Sequence, residues 1–143
     1  MKKRIMATAM ALVLSIVTLA GCGGSSKDDY LNDIAEIAEF SQDSSNVSDD
    51  PEDMVAEMTS LLKDMKVKTA EGKAIKDDFQ EMIDALNTML QNQDDADAVM
   101  KALGNLTSVY ETLEDDAEKL LEAAEKAGVD DNDLEALDFD FGF

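Results

Sequence analysis

From Val99 to Ala124 the residues Val99, Leu103, Leu106, Tyr110, Leu113, Ala117, Leu120 and Ala124 recur in alternating steps of four and three across 26 positions. Such a row stays on one side of a single long helix. It is buried only by other helices packed at shallow angles, as in a left-handed bundle. Asp94 or Asp95 is placed to cap the start of this helix. Lys126 and Gly128 mark its end, where Gly128 is available for the left-handed backbone of a helix terminus. Asp115 with Lys119 and Glu122 with Lys126 add weak support in the favourable acid-before-base order.

Three earlier segments carry shorter stripes of the same kind. In DDYLNDIAEIAEF (28–40), Tyr30, Ile34, Ile37 and Phe40 share a helical row. SQDSSNVSDD (41–50) reads as a loop, because its side chains compete for backbone hydrogen bonds. Asp50-Pro51-Glu52-Asp53 reads as a helix start, with Asp50 as cap, Pro51 in the first turn and acidic groups at the positive end. Met54, Met58, Leu61, Leu62 and Met65 follow at helical spacing. KVKTAEGK (66–73) breaks the pattern, and a turn near 67–70 with Thr69 capping a new helix accounts for the break. Ile75, Phe79, Met82, Ile83, Leu86, Met89 and Leu90 then resume it. No Asp or Glu clearly belongs to an apolar row. The expected fold is all-α: a small antiparallel four-helix bundle with an extended C-terminal tail. A three-helix bundle is the alternative if the second and third segments are continuous or the first is loosely attached.

Ahead of the bundle, MKKR is followed by the nearly uncharged run IMATAMALVLSIVTL and then by Ala20, Gly21 and Cys22, the one cysteine of the chain. This is the layout of an export signal, and the apolar run is too short for a comfortable membrane span. Leu19-Ala20-Gly21-Cys22 resembles the lipobox of bacterial lipoprotein precursors. The resemblance covers about 22 residues, with leader, apolar run and box coinciding. It implies signal-peptidase recognition through Leu19, Ala20 and Gly21, and cleavage before Cys22. It also implies a covalent diacylglycerol on the Cys22 thiol, which forms a stable thioether where a serine hydroxyl could not. The implied location is the outer face of the cell membrane. The outer membrane is the location if the organism is diderm, because Gly23 departs from the Asp that signals inner-membrane retention in that family. Two acyl chains, each contributing about 0.8 kcal/mol per buried CH₂, anchor durably where one would be marginal.

Charge narrows the function classes. The chain has 12 basic and 33 acidic residues and a net charge of −21, which becomes −24 once residues 1–21 are removed. Phosphate backbones and anionic headgroups are repelled by such a surface, so neither nucleic acid nor electrostatic membrane attachment is expected. A single cysteine excludes an internal disulfide, and the absence of histidine removes the commonest general base and metal ligand. No catalytic residue and no cofactor is expected, since carboxylate pairs at any spacing arise by chance among 33 acidic groups.

Asp130, Asp131, Asp133 and Glu135, within GVDDNDLE, form a weak calcium candidate that lacks the central Gly and closing Glu of the helix-loop-helix calcium loop. Met54, Met58, Met65, Met82, Met89 and Met100 read as core filling rather than as a promiscuous groove. In LEALDFDFGF (134–143), Phe139, Phe141 and Phe143 alternate with polar or small residues, a pattern suited to contact with the bundle or with a partner. The organisation expected is a leader (1–21), a lipidated cysteine and tether (22–27), a bundle (28–128) and an acidic aromatic tail (129–143). The expected function is that of a lipid-anchored extracytoplasmic interaction or scaffold module, with membrane lipid and an envelope protein as partners and the oligomeric state left open. The alternative is a small-molecule or cation-binding accessory lipoprotein.

Overall fold

Each helix begins where a short polar side chain takes up the free amides of its first turn. The structure, a computed structural model, describes residues 24–137. Helix α1 (Lys27–Ser44) opens on a reciprocal capping box between Ser26 and Asp29, and α2 (Pro51–Asp64) on Asp50 with Pro51 in its first turn. Thr69 caps α3 (Ala70–Gln91), accepting from the Gly72 amide, and Asp95 caps α4 (Ala96–Lys126). A short α5 (Asp131–Ala136) follows, capped by Asp130. At the end of α4 the backbone turns left-handed at Gly128, φ 95°. The Val129 amide there reaches back to the Ala124 carbonyl at 3.0 Å and closes the helix.

The four long helices form an all-α bundle. The N-terminal ends of α1 and α3, the C-terminal ends of α2 and α4, and α5 meet at one pole. There the Tyr30 hydroxyl donates to Glu71 at 3.3 Å, and Lys27 pairs with Asp133 at 2.7 Å. Successive helices therefore alternate in direction. Helix α1 packs on α2, α3 and α4, while α3 and α4 share the longest common face. Ile34, Ile37, Ile75, Ile83 and Leu120 are fully buried at the centre, and Phe40 stacks on Phe79 with ring centroids 4.5 Å apart.

Three expectations need correction. Helix α1 does not stop at Phe40 but runs on to Ser44, because Ser41, Gln42, Asp43 and Ser44 propagate a helix already nucleated, and the loop begins only at Ser45. The long apolar row is buried in its second half, at Leu113, Ala117, Leu120 and Ala124. In its first half Leu103 and Tyr110 are exposed, Val99 and Leu106 are half-buried, and the buried positions are Ala102 and Val109. Helices α1 and α2, at about 27 and 21 Å, are too short to accompany the roughly 46 Å of α4. The core accordingly ends at Leu86 on α3 and Leu113 on α4, beyond which these two helices form a projecting hairpin arm. Met100, expected in the core, lies 67% exposed on that arm, whereas Met58 and Met65 are buried. The third correction concerns acidic residues, two of which are buried.

Candidate functional site

Asp33 and Asp78 sit inside the bundle, 0% and 7% exposed, although no acidic side chain was expected on an apolar row. Asp33 lies three residues after Tyr30 and Asp78 three after Ile75, each on the flank of its stripe.

Asp33 is fully engaged. Its carboxylate accepts from the Lys68 amide at 2.8 Å, the Thr69 amide at 2.7 Å and the Thr69 hydroxyl at 2.6 Å. Thr69 Oγ1 in turn accepts from the Gly72 amide at 2.9 Å. A side chain of α1 thereby extends the cap of α3 and carries negative charge to the positive end of that helix. Its neighbours on α1 hold the same loop: Asn32 donates to the Lys66 carbonyl at 3.1 Å, and Glu36 accepts from the Lys66 amide at 2.7 Å. Lys76 caps the exit of α2 by donating to the Met65 carbonyl. Both Asp33 oxygens are thus taken up by internal donors.

Asp78 is not saturated. Its Oδ2 is closed off from solvent and has no hydrogen-bond partner among the described residues. Burial first, then the Asp116 carboxylate across the α3–α4 seam, then Glu81 and Asp77 on its own helix push the Asp78 carboxyl up to about 6, with Lys119 acting the other way. Lys119 binds Asp116 at 2.5 Å, in place of the Asp115 expected from spacing, and that bond raises the lysine pKa. A raised carboxyl beside a second carboxylate is the arrangement acid catalysis uses. Here the free oxygen of the raised group is sealed from solvent, and the second carboxylate binds Lys119 through Oδ1.

Further along the same seam an open trough of about 400 Å³ is lined by Glu81, Asp84, Thr88, Asn105, Ser108 and Thr112, with Ala85 and Val109. The Thr88 and Thr112 hydroxyls donate to the carbonyls of Asp84 and Ser108, which leaves the hydroxyl oxygens able to act only as acceptors. The trough therefore suits a ligand rich in N–H or O–H donors.

The calcium candidates are spent largely on capping. Asp130 accepts from the Asn132 and Asp133 amides, and Asp133 accepts from the Asp130 amide while binding Lys27. That lysine and the Asp130 amide hold the Asp133 carboxyl below its usual range. Asp131 and Glu135 are exposed on α5. Among the described residues no group of three or more carboxylate or thiol side chains is arranged to hold a metal ion. Leu19, Ala20, Gly21 and Cys22, and Phe139, Phe141 and Phe143, lie outside the described residues.

Sequence reasoning missed Asp33, Asp78 and the trough. Position on a stripe flank is the one signal that pointed to the two acids, and many exposed acids share it. Compared with protein-family models, curated proteins and solved structures, the chain matches none.

Proposed function

We propose that this protein is a lipid-anchored extracytoplasmic bundle that acts by holding or binding a partner near the membrane, not by catalysis. The observation that carries this reading is Leu19-Ala20-Gly21-Cys22 standing directly after a basic leader and an apolar run. The fold is compatible with it in two respects. Helix α1 is capped at Ser26, four residues after Cys22, so the tether spans at most about 14 Å and keeps the bundle close to the bilayer. The pole nearest that tether is the one locked by the Asp33 and Lys27 contacts, and the α3–α4 turn lies about 46 Å away along α4. An acidic body is repelled by anionic headgroups, which favours an upright stance. No helix among the described residues is long and apolar enough to cross a membrane.

Mass spectrometry of the native protein tests the anchor. The expected product begins at Cys22 and carries a diacylglycerol, and Cys22→Ser abolishes that modification. An unacylated residue 22, or residues 1–21 still attached, overturns the reading.

The trough on the α3–α4 seam favours a second reading, a small-molecule or cation-binding accessory lipoprotein. Calorimetry with calcium and with cell-wall fragments decides between the two. Micromolar or tighter one-to-one binding that is lost in Glu81→Gln/Asp84→Asn replaces the scaffold reading with this one.

A further inference from the structure

The apolar row of α4 does not stop where the core stops. Val99, Leu103, Leu106 and Tyr110 continue the spacing of Leu113, Ala117, Leu120 and Ala124, and Met89 and Leu90 continue the core row of α3. In the body this two-helix face is covered by α1 and α2, whereas on the arm it has no cover among the described residues. Leu103 is 42% and Tyr110 55% exposed. The seam beneath is thin, with Ala85, Ala102 and Val109 as its buried side chains. What the arm lacks to become a four-helix section is two antiparallel helices with a matching apolar face.

The distribution of charge identifies what supplies them. Residues 85–93 carry no charge, and residues 98–110 carry one, Lys101, in a chain with 33 acidic groups. A basic partner is drawn to the acidic body and gains nothing on this strip. A second copy is repelled by every acidic face and meets no such penalty here. We infer that the α3–α4 arm is a homodimerisation surface, on which the hairpin of a second copy takes the place that α1 and α2 occupy in the body. A twofold arrangement matches the strip to itself and completes a four-helix section from two hairpins. About 13 residues of α4 at 1.5 Å each, two helices wide, give on the order of 400 Å² per copy, small for a dimer in dilute solution. Copies confined to one surface meet at a higher effective concentration, which compensates for a small interface.

The test uses the full chain in its native membranes, with Leu103→Cys as the reporter and a flexible bis-maleimide as cross-linker. Thr59→Cys, exposed on α2, is the control for random encounters, and the parent chain reports any free thiol at Cys22. A cross-linked parent marks failure of the anchor reading and is distinct from failure of the dimer. The expected result is a band of twice the chain mass at least fivefold stronger for Leu103→Cys than for Thr59→Cys. It weakens severalfold when Tyr110→Glu is added and strengthens with salt, which screens the repulsion between acidic bodies. Equal bands for the two reporters, no effect of Tyr110→Glu, or a heteromeric product in place of the double-mass band overturns the proposal. Leu103 and Tyr110 are exposed, and unchanged helical circular dichroism shows that the variants fold.

Discussion

Helix propensity alone says that Gly72→Ala stabilises α3 by about 1 kcal/mol. The structure reverses the sign. A Cβ at Gly72 would stand 2.3 Å from Asp33 Oδ2, 2.9 Å from Asp33 Cγ and 3.0 Å from Thr69 Oγ1. Asp33 cannot step aside while holding three donors at 2.6–2.8 Å, so the methyl group displaces the carboxylate from its cap. Hydrogen bonds to a charged acceptor contribute about 1.5–3 kcal/mol each. Losing two of the three costs about 3–6 kcal/mol, of which the propensity gain offsets a small part, for a net loss of about 2–5 kcal/mol. In a fold of this size that lowers the melting temperature by about 8–20 °C. Gly104→Ala is the matched comparison: it is also within a helix, its Cβ would meet open space, and it is expected to stabilise by about 0.5–1 kcal/mol. Thermal and urea unfolding followed at 222 nm measures both. The decisive arm is Asp33→Ala, which costs stability by itself but removes the obstacle, so that adding Gly72→Ala to it is neutral or stabilising. If Gly72→Ala is harmless in the parent, or equally damaging without the Asp33 carboxylate, the trans-helix cap is not what fixes this glycine.

Asp78 makes the pH dependence of stability testable. Its folded pKa of about 6 lies above the ordinary 3.8, so the folded state binds the extra proton and stability from this group falls as pH rises from about 4 to 6. Asp78→Asn, whose amide can donate toward Asp116, is expected to raise stability at pH 7 by about 1–2 kcal/mol. The variant should show no gain at pH 4; an equal gain at both pH values would assign it to packing. Gly128→Ala forces an L side chain to φ 95° and is expected to cost about 1 kcal/mol in urea unfolding, with Gly128→Asn costing less.

What was legible in the sequence was what is local. Asp50, Pro51, Thr69 and Gly128 mark helix ends through contacts within a few residues and act where the sequence placed them, and of the two cap candidates Asp94 and Asp95 it is Asp95 that caps α4. The Ser26–Asp29 box is equally local, but Ser26 reads first as part of a flexible tether and hides there. Overrun of α1 to Ser44 follows from propagation being easier than nucleation, with the Ser44 and Ser45 hydroxyls bonding back to the Ser41 and Gln42 carbonyls. Asp33 was illegible for a different reason. Its partners, Lys68 and Thr69, are 35 and 36 residues away, so nothing beside it distinguishes it from exposed Asp28. Gly72 reads from sequence as a modest cost to α3, and the close approach that requires it depends on the same distant carboxylate. The exposure of Leu103 and Tyr110 depends on the lengths of α1 and α2, which no feature of α4 records.

The two halves of α4 show why a periodic row is a statement about capacity and not about burial. Both halves have the same spacing, and the difference between them is supplied elsewhere in the chain. Around Leu113–Ala124 the other helices bring isoleucine and phenylalanine onto the row. Around Val99–Tyr110 the buried side chains of the seam are small, Ala85, Ala102 and Val109, and residues 85–93 and 98–110 carry no Asp or Glu. Were the arm only a solvated extension, carboxylates would be as frequent there as on the body, since exposed helix positions of this chain are otherwise filled with Asp and Glu. An uncharged strip that keeps the core spacing, on a molecule that elsewhere repels its own kind, concentrates apolar contact at the pole opposite the Asp33 cap. The cap fixes one end of the bundle, and the other end is left free to be completed from outside.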